Sequence, residues 1–133
     1  MMNGSEKELP ANPAVSNAGP LITLTEVGRL DLLKVLFGGI LIPQAVYDEV
    51  VVQGEGEPGS QEVKEAAWIR AVPVQDRLAV HLLRETLDPG ESEAIVLAQE
   101  LEARHVLLDD GLARRKARLI GLCMTGTLGI LLM

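Results

Sequence analysis

The stretch GESEAIVLAQELEARHVLLDD, Gly90 to Asp110, decides how the chain folds. Its first half sets Ala94, Leu97, Ala98 and Leu101 at three- and four-residue spacing with Ile95 beside them, the pattern of a helix with one buried stripe. Its second half, His105 to Leu108, is a short apolar run that closes on Asp109 and Asp110. A helix of about 11 residues rises roughly 16 Å. A strand of about five residues covers nearly the same distance at about 3.3 Å each. If the strand returns antiparallel along the helix, Asp109 comes back to the level of Glu91 and Glu93. Carboxylates gathered in this way raise one another's pKa unless cations or hydrogen bonds offset the repulsion, which is the setting of a divalent-metal site. A second reading stands beside it: Glu91 and Glu93 favour a helix N-terminal dipole, while Asp109 and Asp110 are turn residues after a strand. These four residues alone do not separate the two.

Outward from this unit, short apolar strands alternate with helices. Ala14-Val15-Ser16, Ile40-Leu41-Ile42, Ile69 to Val74, His105 to Leu108 and Leu122 to Met124 read as strands. Gly19-Pro20 opens a helix that Gly28 breaks, and Leu30 to Phe37 form a second. Pro43 leads into a helix carrying Asp48 and Glu49; further helices are expected over Ser60–Trp68, Asp76–Leu87, Leu112–Ile120 and Thr127–Met133. The segment QGEGEPG, Gln53 to Gly59, reads as a mobile surface loop. The alternation predicts a three-layer α/β/α domain with a mostly parallel, doubly wound sheet of about five short strands. Residues 1–13 read as a polar, flexible tail and residues 14–133 as a single domain that ends inside an apolar helix pattern.

In such sheets ligands bind outside the carboxyl ends of the strands. Asn17 ends the first strand, Glu49 follows the second, Glu93 starts the helix running down to the next strand, Asp109 ends that strand and Thr125 ends the last. Five separate segments thus bring an acid or a metal-compatible oxygen to one edge.

Composition narrows the classes. The 133 residues carry 12 basic and 19 acidic side chains, a net charge of −7, which argues against a surface broadly shaped for nucleic acid. Any such contact must use a local basic patch, and Arg114, Arg115, Lys116 and Arg118 form one directly after the paired aspartates. These cations could hold RNA phosphates or form a solvated face that offsets neighbouring acids. The single Cys123 excludes an intramolecular disulfide and reads as a buried, inert thiol. His81 and His105 lack the spacing of a zinc site. No apolar run approaches the ~20 residues of a membrane span, and the N-terminus lacks a signal-peptide pattern, so a cytoplasmic protein is expected. The apolar C-terminal helix points to a homodimer or a bound partner, or else folds back on the core.

Four blocks in order carry a family resemblance: VSNAGPLITLTEVGRLDLLKVLFGGILIPQAVYDEVV from Val15, GESEAIVLAQEL from Gly90, HVLLDDGLARRKA from His105 and TGTLGILL from Thr125. Together they resemble the PIN-domain family, in the small prokaryotic branch often found in toxin–antitoxin pairs. The resemblance implies a metal-dependent endoribonuclease whose acids hold Mg²⁺ or Mn²⁺, cleaving RNA phosphodiesters with a metal-activated water and silenced by a cognate antitoxin protein. Carried over by position, the family's first acid falls on Asn17, the second on Glu49, the third on Glu93 and the fourth on Asp109, with Asp110 able to share that last role. Glu49, Glu93 and Asp109 are then the catalytic acids; Asn17 and Asp110 join them as metal ligands; Arg114, Arg115 and Arg118 contact RNA; Glu91 and Thr125 support. Asn17 departs from the usual Asp. An amide offers a carbonyl oxygen without charge, which opens the alternative of a catalytically degenerate RNA- or protein-binding module. A receiver-like phosphoacceptor fits poorly, because that fold needs an acid pair at the first strand and a lysine at the last, where this chain has Asn17 and Thr125.

Overall fold

The computed structural model describes residues 13–133. The tail expected over residues 1–13 lies outside the described residues except for Pro13, whose carbonyl accepts the Arg104 and His105 amides at 3.0 and 3.4 Å. Five strands, β1 (Ala14–Ser16), β2 (Ile40–Pro43), β3 (Ile69–Val72), β4 (His105–Leu107) and β5 (Met124–Thr125), form one sheet in the order β3-β2-β1-β4-β5. Every pairing is parallel. The chain winds outward from β1 through β2 to β3, then crosses back to β4 and β5. The winding therefore reverses between β1 and β4, and their carboxyl ends flank the switch point where such sheets open a crevice.

Period-two alternation in the strands builds two cores. Val15, Leu41 and Val106 face one side, with Val80 and with Ala94 to Ala98 of the long helix; Ala14, Ile40, Ile42 and Leu107 face the other, with Leu21, Leu24, Leu33, Val46 and Ile130. Helices α1 (Ala18–Glu26), α2 (Asp31–Phe37), α3 (Gln44–Tyr47), α4 (Ser60–Glu65) and α8 (Thr127–Leu132) belong to the second side. Helices α5 (Arg77–Leu83), α6 (Pro89–Glu100) and α7 (Gly111–Leu119) belong to the first. This is the three-layer α/β/α arrangement expected from the alternation. Among the described residues no helix is long and apolar enough to cross a membrane.

Several details differ from the sequence reading. The helix after β2 tightens into one α-turn, then widens into a π-helical segment over Asp48–Gln53. Helix α4 stops at Glu65, where Ala66 turns extended. The surface loop expected from Gln53 starts one residue later, because Gln53 ends the π-helical segment; within it the Glu57 amide bonds to the Gly54 carbonyl at 2.8 Å, and beyond it Ser60 Oγ donates to the Val51 carbonyl at 2.9 Å. The last strand begins two residues later than expected, at Met124, because Gly121 (φ +81°) follows the end of α7; the Cys123 carbonyl already accepts the Val106 amide at 2.8 Å just ahead of it. Cys123 consequently precedes a short edge strand and is exposed, not buried.

Candidate functional site at the carboxyl edge of the sheet

Asn17 follows β1 directly and is 8% exposed, and its Oδ1 is buried without a hydrogen-bond partner. A buried acceptor left bare costs about 1–3 kcal/mol, so this atom marks either strain or a place for a ligand. Its surroundings define the place. A Cβ at Gly90, in the first turn of α6, would stand 3.0 Å from Asn17 Oδ1, 3.2 Å from Glu49 Oε1 and 3.4 Å from Val46 Cγ2. Two oxygens from different elements thus border one small gap that exists because residue 90 has no side chain. Glu49 reaches it from the second residue of the π-helical segment. Its carboxyl pKa is raised, first by desolvation and then by the negative charge of Asp88.

The start of α6 was misplaced by the sequence reading. It begins at Pro89, with Asp88 as its cap: Asp88 Oδ1 accepts the Glu91 amide at 2.7 Å and Glu91 Oε1 accepts the Asp88 amide at 3.1 Å. The signal was present in Asp88-Pro89-Gly90-Glu91, a capping box with proline at the first helical position. Glu91 is 9% exposed, and its pKa is raised, chiefly by desolvation, then by the charges of Asp88 and Asp110 and a side-chain hydrogen bond to Asp110; the Asp88 amide bond works in the opposite direction. Acids from the two ends of the α6–β4 unit therefore do meet, as Glu91 with Asp110.

A pH consequence follows from Glu91. Its pKa is raised on folding, so the folded state holds the proton more tightly than the unfolded chain. That contribution to stability is fully present below the ordinary value of 4.5 and is lost as pH rises through the raised value. The melting temperature of the metal-free protein is expected to fall as pH rises above 4.5, and less steeply in Glu91→Gln, which keeps the capping box but not the charge. Equal slopes in thermal melts of the two proteins would refute this.

The other expected site residues are placed as follows. Asp109 is exposed at its rim and bound on both oxygens: Oδ1 accepts the Thr127 amide at 2.7 Å and Oδ2 accepts Thr127 Oγ1 at 2.6 Å. It therefore caps α8, and Gly19 lies against it, since a Cβ there would be 3.3 Å from Asp109 Oδ2. Asp110 caps α7 through Oδ2 to the Ala113 amide at 2.8 Å. Glu93 sits in the second turn of α6, with Oε1 on the Ala45 amide at 3.0 Å and Oε2 on Arg77 Nη1 at 2.9 Å. Thr125 closes β5, half-buried, with its carbonyl on the Leu108 amide at 3.1 Å. Arg114 Nη1 donates to the Leu108 carbonyl at 3.0 Å, which ties that guanidinium to the same edge; Arg115 and Arg118 are exposed on α7. Among the described residues, no three His, Cys, Asp or Glu side chains stand together as a metal cage. The donors that do fit a hard divalent ion are the bare Asn17 amide oxygen and the Glu49 carboxylate, both oxygens of the kind Mg²⁺ and Mn²⁺ prefer. Sequence reasoning passed over Asp88, Gly90 and Arg77; the last gives no local signal, because its partner lies 16 positions away.

The chain belongs to the PIN-domain family, whose family model matches residues 13–133. No curated protein matches it at significance. Proteins of this family generally depend on divalent metals, and the gap between Asn17 and Glu49 lies at the sheet edge where the resemblance places the metal ligands.

Proposed function

We propose that the protein is a PIN-type, metal-dependent endoribonuclease of the cytoplasm, the toxin of a toxin–antitoxin pair. The observation that supports this best is the unsatisfied Asn17 Oδ1 facing Glu49 across Gly90 at the topological switch point. Asn17 and Glu49 would hold a Mg²⁺ or Mn²⁺ ion; Glu91 and Asp110 meet each other at the same end of the sheet. Such an ion supplies Lewis acidity toward a phosphodiester oxygen and lowers the pKa of a water. The chain's own part is positional. Gly90 leaves the gap open, Asp88 raises the electron-rich character of the edge beside Glu49, and Asp109 fixes α8 through Thr127. Arg115 and Arg118, exposed one and two turns into α7, can take RNA phosphates without reading sequence, while Arg114 braces the β4 end. The exposed Leu128 and Leu132 of the C-terminal helix, with Met133 after it, favour a homodimer or an antitoxin seated there.

The test is a Mn²⁺ titration by calorimetry paired with a labelled-RNA cleavage assay. The wild-type protein is expected to bind Mn²⁺ at millimolar concentration or tighter, and Glu49→Gln to bind at least about tenfold more weakly while melting at an unchanged or higher temperature. RNA cleavage should require Mn²⁺ and fall in parallel. Binding that survives Glu49→Gln undiminished sinks the site. The alternative, a binding module without catalysis, is favoured by one feature, the uncharged amide at Asn17; Mn²⁺-independent RNA binding with no cleavage would establish it.

A further inference from the structure

We infer that Glu93 is a positioning residue, a clamp that fixes Glu49 beside Asn17, and not a ligand of the ion itself. Glu93 is 8% exposed and both of its carboxyl oxygens are already engaged, one by the Ala45 amide and one by Arg77. Ala45 is the second residue of α3, one of the first N–H groups of a helix that have no partner within it. Pro43, at the cap position, provides no side-chain acceptor. Glu93 supplies that acceptor from 48 positions along the chain. Glu49 stands four residues after Ala45 on the same continuous run of helix, so its height and rotation follow from where Ala45 is held. On α6, Glu93 lies three residues after Gly90 and so shares its face. One face of α6 therefore does two things: Gly90 leaves room for Glu49, and Glu93 anchors the turn that delivers it. Arg77 holds the second oxygen, but its side chain is 62% exposed against 10% for Glu93. The Arg77 contact is thus screened by water and is the weaker half of the clamp.

The inference rests on the reading of the Asn17–Glu49 gap as a metal site, and the experiment separates the two. In the full-length, metal-free protein, hydrogen exchange at the Ala45 amide is followed by NMR in wild type, Glu93→Ala, Glu93→Gln and Arg77→Ala. Mn²⁺ is then titrated into each. Glu93→Ala should speed Ala45 exchange by about tenfold or more and weaken Mn²⁺ binding by about tenfold. Glu93→Gln, whose amide oxygen still accepts the Ala45 N–H, should keep both within about threefold of wild type, and Arg77→Ala should do the same. The clamp is overturned if Ala45 exchange is indifferent to Glu93→Ala. It is equally overturned if Glu93→Gln loses Mn²⁺ as completely as Glu93→Ala, the behaviour of a direct ligand. Should wild type bind no Mn²⁺, the metal reading fails, while the exchange rates still decide the clamp.

Discussion

Replacing Leu107 by alanine is expected to lower the stability of the fold by about 3–4 kcal/mol, the range for deleting a fully buried leucine that its neighbours cannot close over. Leu107 has no exposed surface and lies on β4, which is hydrogen-bonded on both sides, with Ser16 of β1 and Thr125 of β5 opposite it. It belongs to the same buried cluster as Leu21, Leu33 and Ile130, the core that lies between the sheet and α1, α2 and α8. In a domain of this length the loss corresponds to a fall in melting temperature of roughly 10–15 °C. Urea unfolding measures it directly, and a change below about 1 kcal/mol would show that the second core is not the close-packed layer described here. The functional consequence is local as well. Asp109 lies two positions beyond Leu107 and caps α8, so a slack β4 also loosens the contacts with Thr127. Site substitutions act the other way: removing a charge from Glu49 or Glu91 relieves repulsion in the metal-free protein, so stability and metal binding should move apart.

The layers were legible because each strand is a run of aliphatic residues too short for a helix and each is followed by a helix of different period. Val15, Leu41 and Val106 against Ala14, Ile42 and Leu107 alternate as a sheet covered on both faces requires. The convergence across the central helix–strand unit was also readable from rise per residue alone. Which acids meet was not: a register shift of one or two residues on a helix turns a side chain by 100° or more, and the capping box at Asp88 decides that Glu91, not Glu93, faces Asp110. The π-helical segment escaped notice because Val50, Val51 and Val52 are apolar in succession and show no period. Cys123 is exposed although its apolar neighbours read as a buried strand, because it lies just ahead of a two-residue edge strand that no further strand among the described residues covers. The partners of Glu93 and Asp109 come from segments distant in sequence, Ala45 and Arg77 in one case and Thr127 in the other. No local pattern announces them.

Asn17→Asp is expected to produce the largest change at the site. The position is 8% exposed and its Oδ1 faces Glu49 Oε1 across the gap at Gly90, with Asp88 already raising the Glu49 pKa. A carboxylate there adds a second charge close to the first. Without an ion the added charge pushes both carboxyl pKa values further up, which lowers the stability of the metal-free variant at neutral pH. With a divalent ion the balance reverses. Two opposite unit charges at about 4 Å attract by roughly 4 kcal/mol at the effective dielectric of a protein surface, and desolvation removes part of this. A gain of about 1.4–2.8 kcal/mol, or tenfold to a hundredfold in Mn²⁺ affinity, is the expected remainder. The variant should therefore melt below wild type in chelator and above it in millimolar Mn²⁺, a crossing that a merely structural role for Asn17 does not produce. If RNA cleavage rises together with affinity, the amide is what limits the natural protein, and the chain is a weakened nuclease. If affinity rises and cleavage does not, metal binding and catalysis are separate here, and the limit lies with the acids whose oxygens Thr127, Ala113 and Arg77 already occupy. An unchanged affinity would mean that the bare oxygen of Asn17 is strain and not a ligand, and the metal would have to be sought at Glu91 and Asp110.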